Sequence, residues 1–337
     1  MYSRITVAAL ALGTLCLCAA AAFAQAPERV PHINDEGQRS YRAYLNQGFH
    51  RAFAISEGGF YGSAWANRDI EEAIKAAVGN CQRRDANGTC KPYSVNGYVV
   101  WGKDAKDFPR YADAPKYGRF IPSDYTQVRG PQAAPGLVVW SHGYFRGVDA
   151  TQGMPHGYVS RLLASGWDIY RYNREWVDQL SQDIEGLIEG VAAAKAAGYK
   201  KVILVGQSQG AWISMEALAK GVQADGVVSI AMARHGEPPS RNARQDFIQL
   251  LRDIRSKNDG GIPVVVTLFA NDGYDPGGRN VDVKSILGSA NMPLYFIEHP
   301  ADLPGHGAGS NLKFNDRFGA CIVRFVTTSP PAAGECK

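Results

Sequence analysis

A serine between two glycines is the strongest chemical signal in the chain. Residues 206–210, GQSQG, fit the pattern Gly-x-Ser-x-Gly, in which the serine hydroxyl attacks a carbonyl carbon. An apolar run ends at Val205 and a helical pattern begins at Ala211, so Ser208 is predicted on a turn from a strand into a helix. There the helix N-terminus favours developing negative charge. This context predicts a nucleophile rather than a serine that only caps a helix.

Activation of a serine hydroxyl needs a base within hydrogen-bond reach and a third group that orients the base. Of the seven histidines, His306 lies in a Gly-His-Gly loop after the last apolar strand pattern. The glycines give that loop the freedom to bring the imidazole over the edge of a sheet. His299 stands directly at the end of the strand pattern and is predicted to be structural. We therefore expect His306 to be the general base.

Two carboxylates qualify as the group that orients the base. Asp272 and Asp275 both follow the apolar run 263–270. Asp272 is favoured because it is two residues past the run, where a short turn keeps it at the rim of the sheet. Asp275 is one turn further along and remains the alternative. Arg279 is expected to pair with whichever carboxylate is not catalytic.

A tetrahedral intermediate requires backbone donors for its negatively charged oxygen. One predicted donor is the amide of Gln209, the residue after the serine. The second is the amide of Tyr144, in the segment His142-Gly143-Tyr144 that follows the apolar run 136–140. In this arrangement Gly143 turns the chain, and His142 shapes the loop without acting as a base.

These residues require elements that bring them together. Short apolar runs predict strands at residues 136–140, 168–172, 201–205, 226–231, 263–270 and 293–298. Amphipathic patterns predict helices near residues 157–164, 177–197, 211–220, 245–255 and 314–326. Alternation of this kind is typical of an α/β fold, a mostly parallel sheet with helices on both faces. In such sheets ligands bind beyond the carboxyl ends of the strands, which is where the candidate residues stand.

The N-terminus has the pattern of an export signal. Residues 1–24 contain a single arginine, a long apolar run and a small-residue cleavage pattern, which predict a signal peptide. An uncleaved membrane anchor is disfavoured because the run is close to the minimum length for a span. Residues 25–48 are polar and contain prolines, so they are predicted to form an extended or weakly ordered leader. We expect a periplasmic or extracellular protein without stable membrane insertion.

Four cysteines follow the predicted signal: Cys81, Cys90, Cys321 and Cys336. An even number in an exported chain predicts disulfides. Proximity favours Cys81 with Cys90 and Cys321 with Cys336, among the possible pairings. A zinc site is not expected, because the sequence contains no Cys-x-x-Cys pair and no Cys/His cluster.

Residues 49–105 are predicted to form a small unit with a helix at 69–78 and a strand at 93–101 broken by an Asn-Gly turn. This unit resembles small cysteine-containing β-α-β modules of exported bacterial proteins, although it can equally supply the first strands of the main sheet. Residues 106–130 are rich in proline, glycine and charge, and are predicted to be a connector. Residues 131–337 then form the main domain.

The segment 131–328 resembles an α/β-hydrolase, because its motifs follow one another in the order of that family. They are the loop with His142-Gly143, the serine turn at 206–210, an acid after the next-to-last strand, and the loop Gly305-His306-Gly307. The resemblance implies acyl transfer by Ser208, His306 and Asp272, with no metal or organic cofactor. Gln207 and Gln209 beside the serine depart from many members of the family, as does the lack of a long insertion between the later strands. These departures leave the substrate open.

The expected reaction is the hydrolysis of carboxylic esters, either small molecules or fragments of a polymer. An acyltransferase, a perhydrolase or a peptidase can use the same residues, and a non-catalytic binding protein is a further alternative. Nucleic-acid binding is not expected, because the net charge is only +4 and no dense run of basic residues is present. Aromatic residues near the predicted site either line a pocket or pack in the core; they are Trp140, Tyr144, Phe145, Trp212 and Tyr274.

Overall fold

The computed structural model describes residues 29–65, 69–85, 88–104, 114–123, 126–144, 154–174, 179–234, 241–258 and 261–328. Within these ranges the chain forms two β-sheets, a small antiparallel sheet near the N-terminus and a larger, mostly parallel sheet. The predicted signal peptide, residues 1–24, lies outside them. No helix in the same ranges is long and apolar enough to cross a bilayer.

The N-terminal elements are α1 (Asp35–Tyr44), β1 (Ala52–Ile55), β2 (Tyr61–Ala64), α2 (Ile70–Gln82), β3 (Lys91–Val95) and β4 (Tyr98–Val99). The strands form a sheet of their own in the order β2-β1-β3-β4, with antiparallel neighbours. The small unit at residues 49–105 thus contains more strands than the β-α-β modules that it resembles in sequence. Two hairpins flank one helix, because the aromatic segment after residue 50 turns back at Gly59, whose φ is +88°. The predicted Asn-Gly turn is present between β3 and β4.

A helix stands where an extended or weakly ordered leader was predicted for residues 25–48. The side chain of Asn34 caps α1 by accepting a hydrogen bond from the amide of Gly37 at 2.9 Å. Tyr41 and Tyr44, three residues apart, are buried on one face of the helix and contact the ring of Phe53. The sequence does not reveal this helix, because the two tyrosines are its only buried aromatic side chains and the rest of the segment is mostly polar.

The larger sheet contains β5 (Phe120–Pro122), β6 (Leu137–Ser141), β7 (Asp168–Tyr172), β8 (Val202–Gln207), β9 (Gly226–Ile230), β10 (Val264–Leu268) and β11 (Leu294–Glu298). Among the described residues its order is β11-β10-β9-β8-β6-β7-β5. All neighbouring strands are parallel except β5, which runs antiparallel to β7. The carboxyl ends of β8, β10 and β11, after which the candidate residues come, therefore share one edge.

Helices cover both faces of this sheet, as predicted. They are α3 (Val159–Ala164), α4 (Leu180–Ala196), α5 (Gln209–Ala219), α6 (Ala243–Lys257), α7 (Arg279–Ile286) and α8 (Leu312–Thr327). Side chains alternate along the strands, so one face packs against α4, α5 and α6 and the other against α3 and α8. On β6, for example, Val139 belongs to the first core and Val138 to the second. Helix α7 was not predicted, because few of its residues are apolar.

The segment predicted as a connector, residues 106–130, contributes β5 to the edge of the larger sheet. Three residues are too short for a recognisable strand pattern, and pairing with β7 rather than local sequence stabilises this strand. Phe120 is fully buried in the core beneath α4. The main fold therefore begins before residue 131.

A disulfide joins Cys81 at the end of α2 to Cys90 just before β3, which confirms the predicted pair. The two Cα atoms are 6.0 Å apart, a usual separation for a disulfide. Cys321 on α8 is also disulfide-bonded. Cys336, its predicted partner, lies outside the described residues.

The buried carboxylate of Asp168, at the start of β7, forms hydrogen bonds with the backbone at residues 129–130, where the chain enters the main domain. Asp168 accepts the amides of Arg129 and Gly130 at 2.7 and 2.9 Å, and the hydroxyl of Tyr199 at 2.6 Å. Both carboxylate oxygens are used, since Arg129 binds Oδ1 and the other two donors bind Oδ2. Burial raises the pKa of Tyr199, and the hydrogen bond to Asp168 and the charge of that carboxylate raise it further.

Replacing this carboxylate by its amide is expected to destabilise the fold. Asp168→Asn presents an NH₂ group to a donor that needs an acceptor, so one buried donor loses its partner. We expect the free energy of unfolding to fall by about 2 kcal/mol in urea titrations followed by circular dichroism. Asp253→Asn, at an exposed position of α6, is the control and is expected to change it by less than about 0.5 kcal/mol. Equal stability of the two variants would contradict the role assigned to Asp168.

Candidate active site

Ser208 lies on the turn between β8 and α5, at the predicted position. Its backbone has φ +53° and ψ −121°, a conformation that residues with a side chain rarely adopt. A Cβ atom on Gly206 would lie 2.4 Å from the carbonyl oxygen of Gly210. On Gly210 it would lie 2.1 Å from the carbonyl oxygen of Ser141. The turn therefore requires glycine on both sides of the serine, and it sets the serine hydroxyl beyond the sheet at the start of a helix.

Ser208, His306 and Asp272 form one hydrogen-bonded series. His306 Nε2 lies 2.8 Å from Ser208 Oγ, and His306 Nδ1 lies 2.9 Å from both carboxylate oxygens of Asp272. The side chain of Asp272 is almost fully buried, whereas that of His306 is one-fifth exposed. With a proton on Nδ1 donated to Asp272, Nε2 is free to accept the proton of the serine hydroxyl. The three residues named from the sequence thus come together although they lie far apart in the chain.

The alternative acid, Asp275, points to another partner. Its carboxylate lies 3.8 Å from Nε of Arg279 and accepts the amide of Gly277 at 2.8 Å. Arg279 is buried and also donates to the carbonyl of Met232 at 2.7 Å. Burial lowers the pKa of Arg279, and the negative charge of Asp275 opposes that shift. The expected pairing of Arg279 with the second carboxylate is therefore present.

Tyr274 supports the histidine and the acid from one side. Its ring centroid lies 4.3 Å from that of His306. Its backbone amide donates a 2.9 Å hydrogen bond to Oδ1 of Asp272. Through these two contacts the loop after β10 holds both the imidazole ring and the carboxylate that orients it.

The predicted oxyanion loop, residues 142–144, lies against the serine. A Cβ atom on Gly143 would lie 3.2 Å from Cβ of Ser208 and 2.3 Å from Oε1 of Gln207. His142 is buried in this loop, and Tyr144 is exposed at its end. Gln209 is the first residue of α5, where backbone amides have no partner within the helix. The segments that carry the two predicted donors, Tyr144 and Gln209, are thus both adjacent to Ser208.

Arg174 is a residue of this site that the sequence did not reveal. Its fully buried guanidinium donates to the carbonyl of His142 at 2.6 Å, the carbonyl of Gly143 at 3.1 Å and Oε1 of Gln209 at 2.7 Å. Burial lowers its pKa to about 10, and the negative charge of Asp183 opposes the shift. The sequence feature that could have identified Arg174 is its position just after β7, at the same edge of the sheet as the serine.

The aromatic candidates and His299 differ in burial and position. Trp140 and Trp212 are buried in the core, whereas Tyr144 is exposed and Tyr274 is half-buried. His299 lies at the end of β11, where its amide donates to the carbonyl of Leu268 at 2.9 Å. Phe145, the remaining aromatic candidate, lies outside the described residues.

His156 is buried beneath the loop that carries His306. Its ring centroid lies 4.8 Å from that of Trp140, and Cε1 lies 3.0 Å from the position of a Cβ on Gly309. Burial lowers the pKa of His156 to about 3, so the imidazole is neutral at physiological pH.

No protein-family model matches the chain, and a search of curated proteins gives no match. Solved structures with a similar chain course include a truncated carbohydrate esterase from gut microbiota, with TM-score 0.43, 14% identity, and coverage of 65% of this chain and 95% of that one. An esterase from Pyrococcus furiosus has TM-score 0.41, 12% identity, and coverage of 60% and 81%. A phospholipase/carboxylesterase from Dyadobacter fermentans has TM-score 0.40, 16% identity, and coverage of 60% and 99%.

The buried imidazole predicts an acid-labile fold. Because burial lowers the pKa of His156 from its ordinary value of 6.5 to about 3, the unfolded chain binds one more proton between these values. Stability is therefore expected to fall with decreasing pH in this window, by about 1.4 kcal/mol per pH unit from this residue. His156→Phe keeps an aromatic ring at this position but removes the titrating group. The unfolding free energy of the variant, measured in urea from pH 6 to 4, is therefore expected to depend less steeply on pH than that of the wild type. Identical slopes would refute this assignment.

Proposed function

We propose that this protein is a serine hydrolase that cleaves carboxylic esters through an acyl-enzyme intermediate. The observation that carries the proposal is the hydrogen-bonded series from Ser208 through His306 to Asp272, with distances of 2.8 and 2.9 Å. A nucleophile, a base and a group that orients the base are the parts that acyl transfer requires. The substrate is an ester of a small molecule or of a polymer fragment.

In the acylation step, His306 Nε2 takes the proton of Ser208 as the hydroxyl oxygen attacks the ester carbonyl. Asp272 stabilises the positively charged imidazole, and the amides of Gln209 and Tyr144 bind the negatively charged oxygen of the tetrahedral intermediate. The intermediate collapses as His306 gives its proton to the alcohol that leaves. An acyl group then remains on Ser208 as an ester.

In the deacylation step, a water molecule takes the place of the alcohol. His306 removes a proton from the water as its oxygen attacks the acyl-enzyme, and the same two amides bind the second oxyanion. Collapse releases the acid and returns the proton to Ser208. Transfer of the acyl group to a different nucleophile is the reaction of an acyltransferase or perhydrolase, which product analysis distinguishes.

We also propose that the protein is exported. The support is the disulfide between Cys81 and Cys90, since stable disulfides are typical of oxidising compartments. The signal pattern in residues 1–24 agrees with this location. The expected compartment is the periplasm or the extracellular space.

Removal of the proposed nucleophile is expected to abolish the reaction. Ser208→Ala leaves His306 with no hydroxyl to activate, so kcat for a short p-nitrophenyl ester is expected to fall at least about 10⁴-fold. Covalent labelling by a fluorophosphonate is expected to disappear as well. Ser289→Ala, at an exposed position near the end of α7, is the control and is expected to keep both signals. Wild-type turnover or labelling in Ser208→Ala would refute the proposal.

The two carboxylates are separated by matched amide variants. Asp272→Asn removes the negative charge that orients and stabilises the imidazole, so kcat is expected to fall by about 10³- to 10⁴-fold. Asp275→Asn changes the contacts with Arg279 and with the amide of Gly277, and it is expected to lower kcat less than about tenfold. Steady-state kinetics on the same ester compare the two variants. The assignment fails if the loss in Asp275→Asn equals or exceeds that in Asp272→Asn.

A further inference from the structure

The geometry points to Arg174 as a positioning residue that aims the backbone donors of the oxyanion hole. This inference rests on the proposed ester hydrolysis and concerns the same site. Arg174 has no contact with Ser208, His306 or Asp272 among its hydrogen bonds in the described part of the chain. Its partners are instead the two segments that carry the proposed donor amides.

One nitrogen of the guanidinium holds the oxyanion loop by its carbonyl groups. Nη2 donates to the carbonyl oxygens of His142 and Gly143, at 2.6 and 3.1 Å. A peptide unit is planar and trans, so its N–H points opposite to its C=O. Fixing the Gly143 carbonyl toward Arg174 therefore fixes the amide of Tyr144 on the opposite side. The His142 carbonyl fixes the amide of Gly143 in the same way.

The second nitrogen holds the other donor segment. Nη1 donates to Oε1 of Gln209 at 2.7 Å, and the amide of Gln209 is the donor proposed at the start of α5. One rigid, planar group thus spans the loop after β6 and the first residue of α5. Because the guanidinium donors keep a fixed geometry, they restrain the side chain of Gln209 relative to the loop that carries the other proposed donor. A lysine has a single charged nitrogen and lacks this forked geometry.

Surrounding groups keep this cation in its buried position. The carboxylate of Asp183, at the start of α4, lies 3.9 Å from Nη1 of Arg174 and 3.5 Å from Nη1 of Arg119. The backbone carbonyl of Asp183 accepts the hydroxyl of Tyr172 at 2.6 Å. Arg119 is partly exposed and does not contact the oxyanion loop in the described hydrogen bonds. It therefore offers a matched control, an arginine that shares the carboxylate but not the loop.

The test compares Arg174→Lys with Arg119→Lys on a p-nitrophenyl ester. Arg174→Lys keeps a positive charge near Asp183 but loses the forked contacts, so kcat is expected to fall at least about tenfold. KM is expected to stay within about threefold, because the donors act on the oxyanion and not on the bound ester. Affinity for a trifluoromethyl ketone, which forms a tetrahedral adduct with the serine, is expected to fall in parallel with kcat. Arg119→Lys is expected to retain wild-type values of all three.

Several outcomes would overturn the inference while leaving the proposed function intact. They are a wild-type kcat in folded Arg174→Lys, an effect equal to that of Arg119→Lys, or a loss confined to KM. If Arg174→Lys lacks the native circular dichroism spectrum, Gln209→Ala decides instead. That variant keeps the backbone amide and loses the contact with Arg174, so kcat is expected to fall about three- to tenfold at constant KM. A wild-type kcat in Gln209→Ala then overturns the inference, whereas turnover by Ser208→Ala overturns the proposed function itself.

Discussion

At Ser208 the chain passes from β8 into α5 through a backbone conformation that L-residues rarely adopt, and neighbouring atoms leave no space for a Cβ on either flanking glycine. A backbone of this kind costs about 1 to 3 kcal/mol, so the surrounding structure must hold it. The amide of Ser208 donates to the carbonyl of Ile230 at 3.0 Å, and its own carbonyl accepts the amides of Trp212 and Ala233. Strand, helix and the segment after β9 thus converge on one residue. The turn sets the position of Ser208, whose hydroxyl His306 contacts and against which the loop at residues 142–144 lies.

The parallel sheet brings the remaining groups to the same edge. Asp272 follows β10 and His306 follows β11, and these two strands are neighbours. A backbone hydrogen bond of 2.7 Å from the amide of Gly305 to the carbonyl of Ala270 joins the two loops directly. This bond sets the histidine loop against the loop of the acid. The contact between the side chains of Asp272 and His306 therefore depends on this backbone hydrogen bond as well as on their own charges.

Two buried arginines support the loops on either side of the serine. Arg174 holds the carbonyls of the oxyanion loop, while Arg279 holds the carbonyl of Met232 and faces Asp275. Burial lowers the pKa of both guanidinium groups, and a nearby carboxylate opposes the shift in each case. The carbonyls of His142, Gly143 and Met232 thereby receive hydrogen bonds from charged donors. These hydrogen bonds restrain segments that lie outside the helices and strands.

The sequence by itself determined the main-sheet strands that follow residue 135, the turn at Ser208 and the position of His306 in a glycine-flanked loop after the last strand. These are local properties, since apolar periodicity and glycine spacing express the immediate demands of strands and tight turns. Only the tertiary structure brought Asp272 rather than Asp275 to the histidine, because two carboxylates in one loop differ only in the partners they meet. It also decided the first N-terminal hairpin, β1 with β2, as well as helix α1, the edge strand β5 and the position of Arg174. Each of these depends on burial against residues distant in the chain, and such contacts leave no periodic pattern in the sequence.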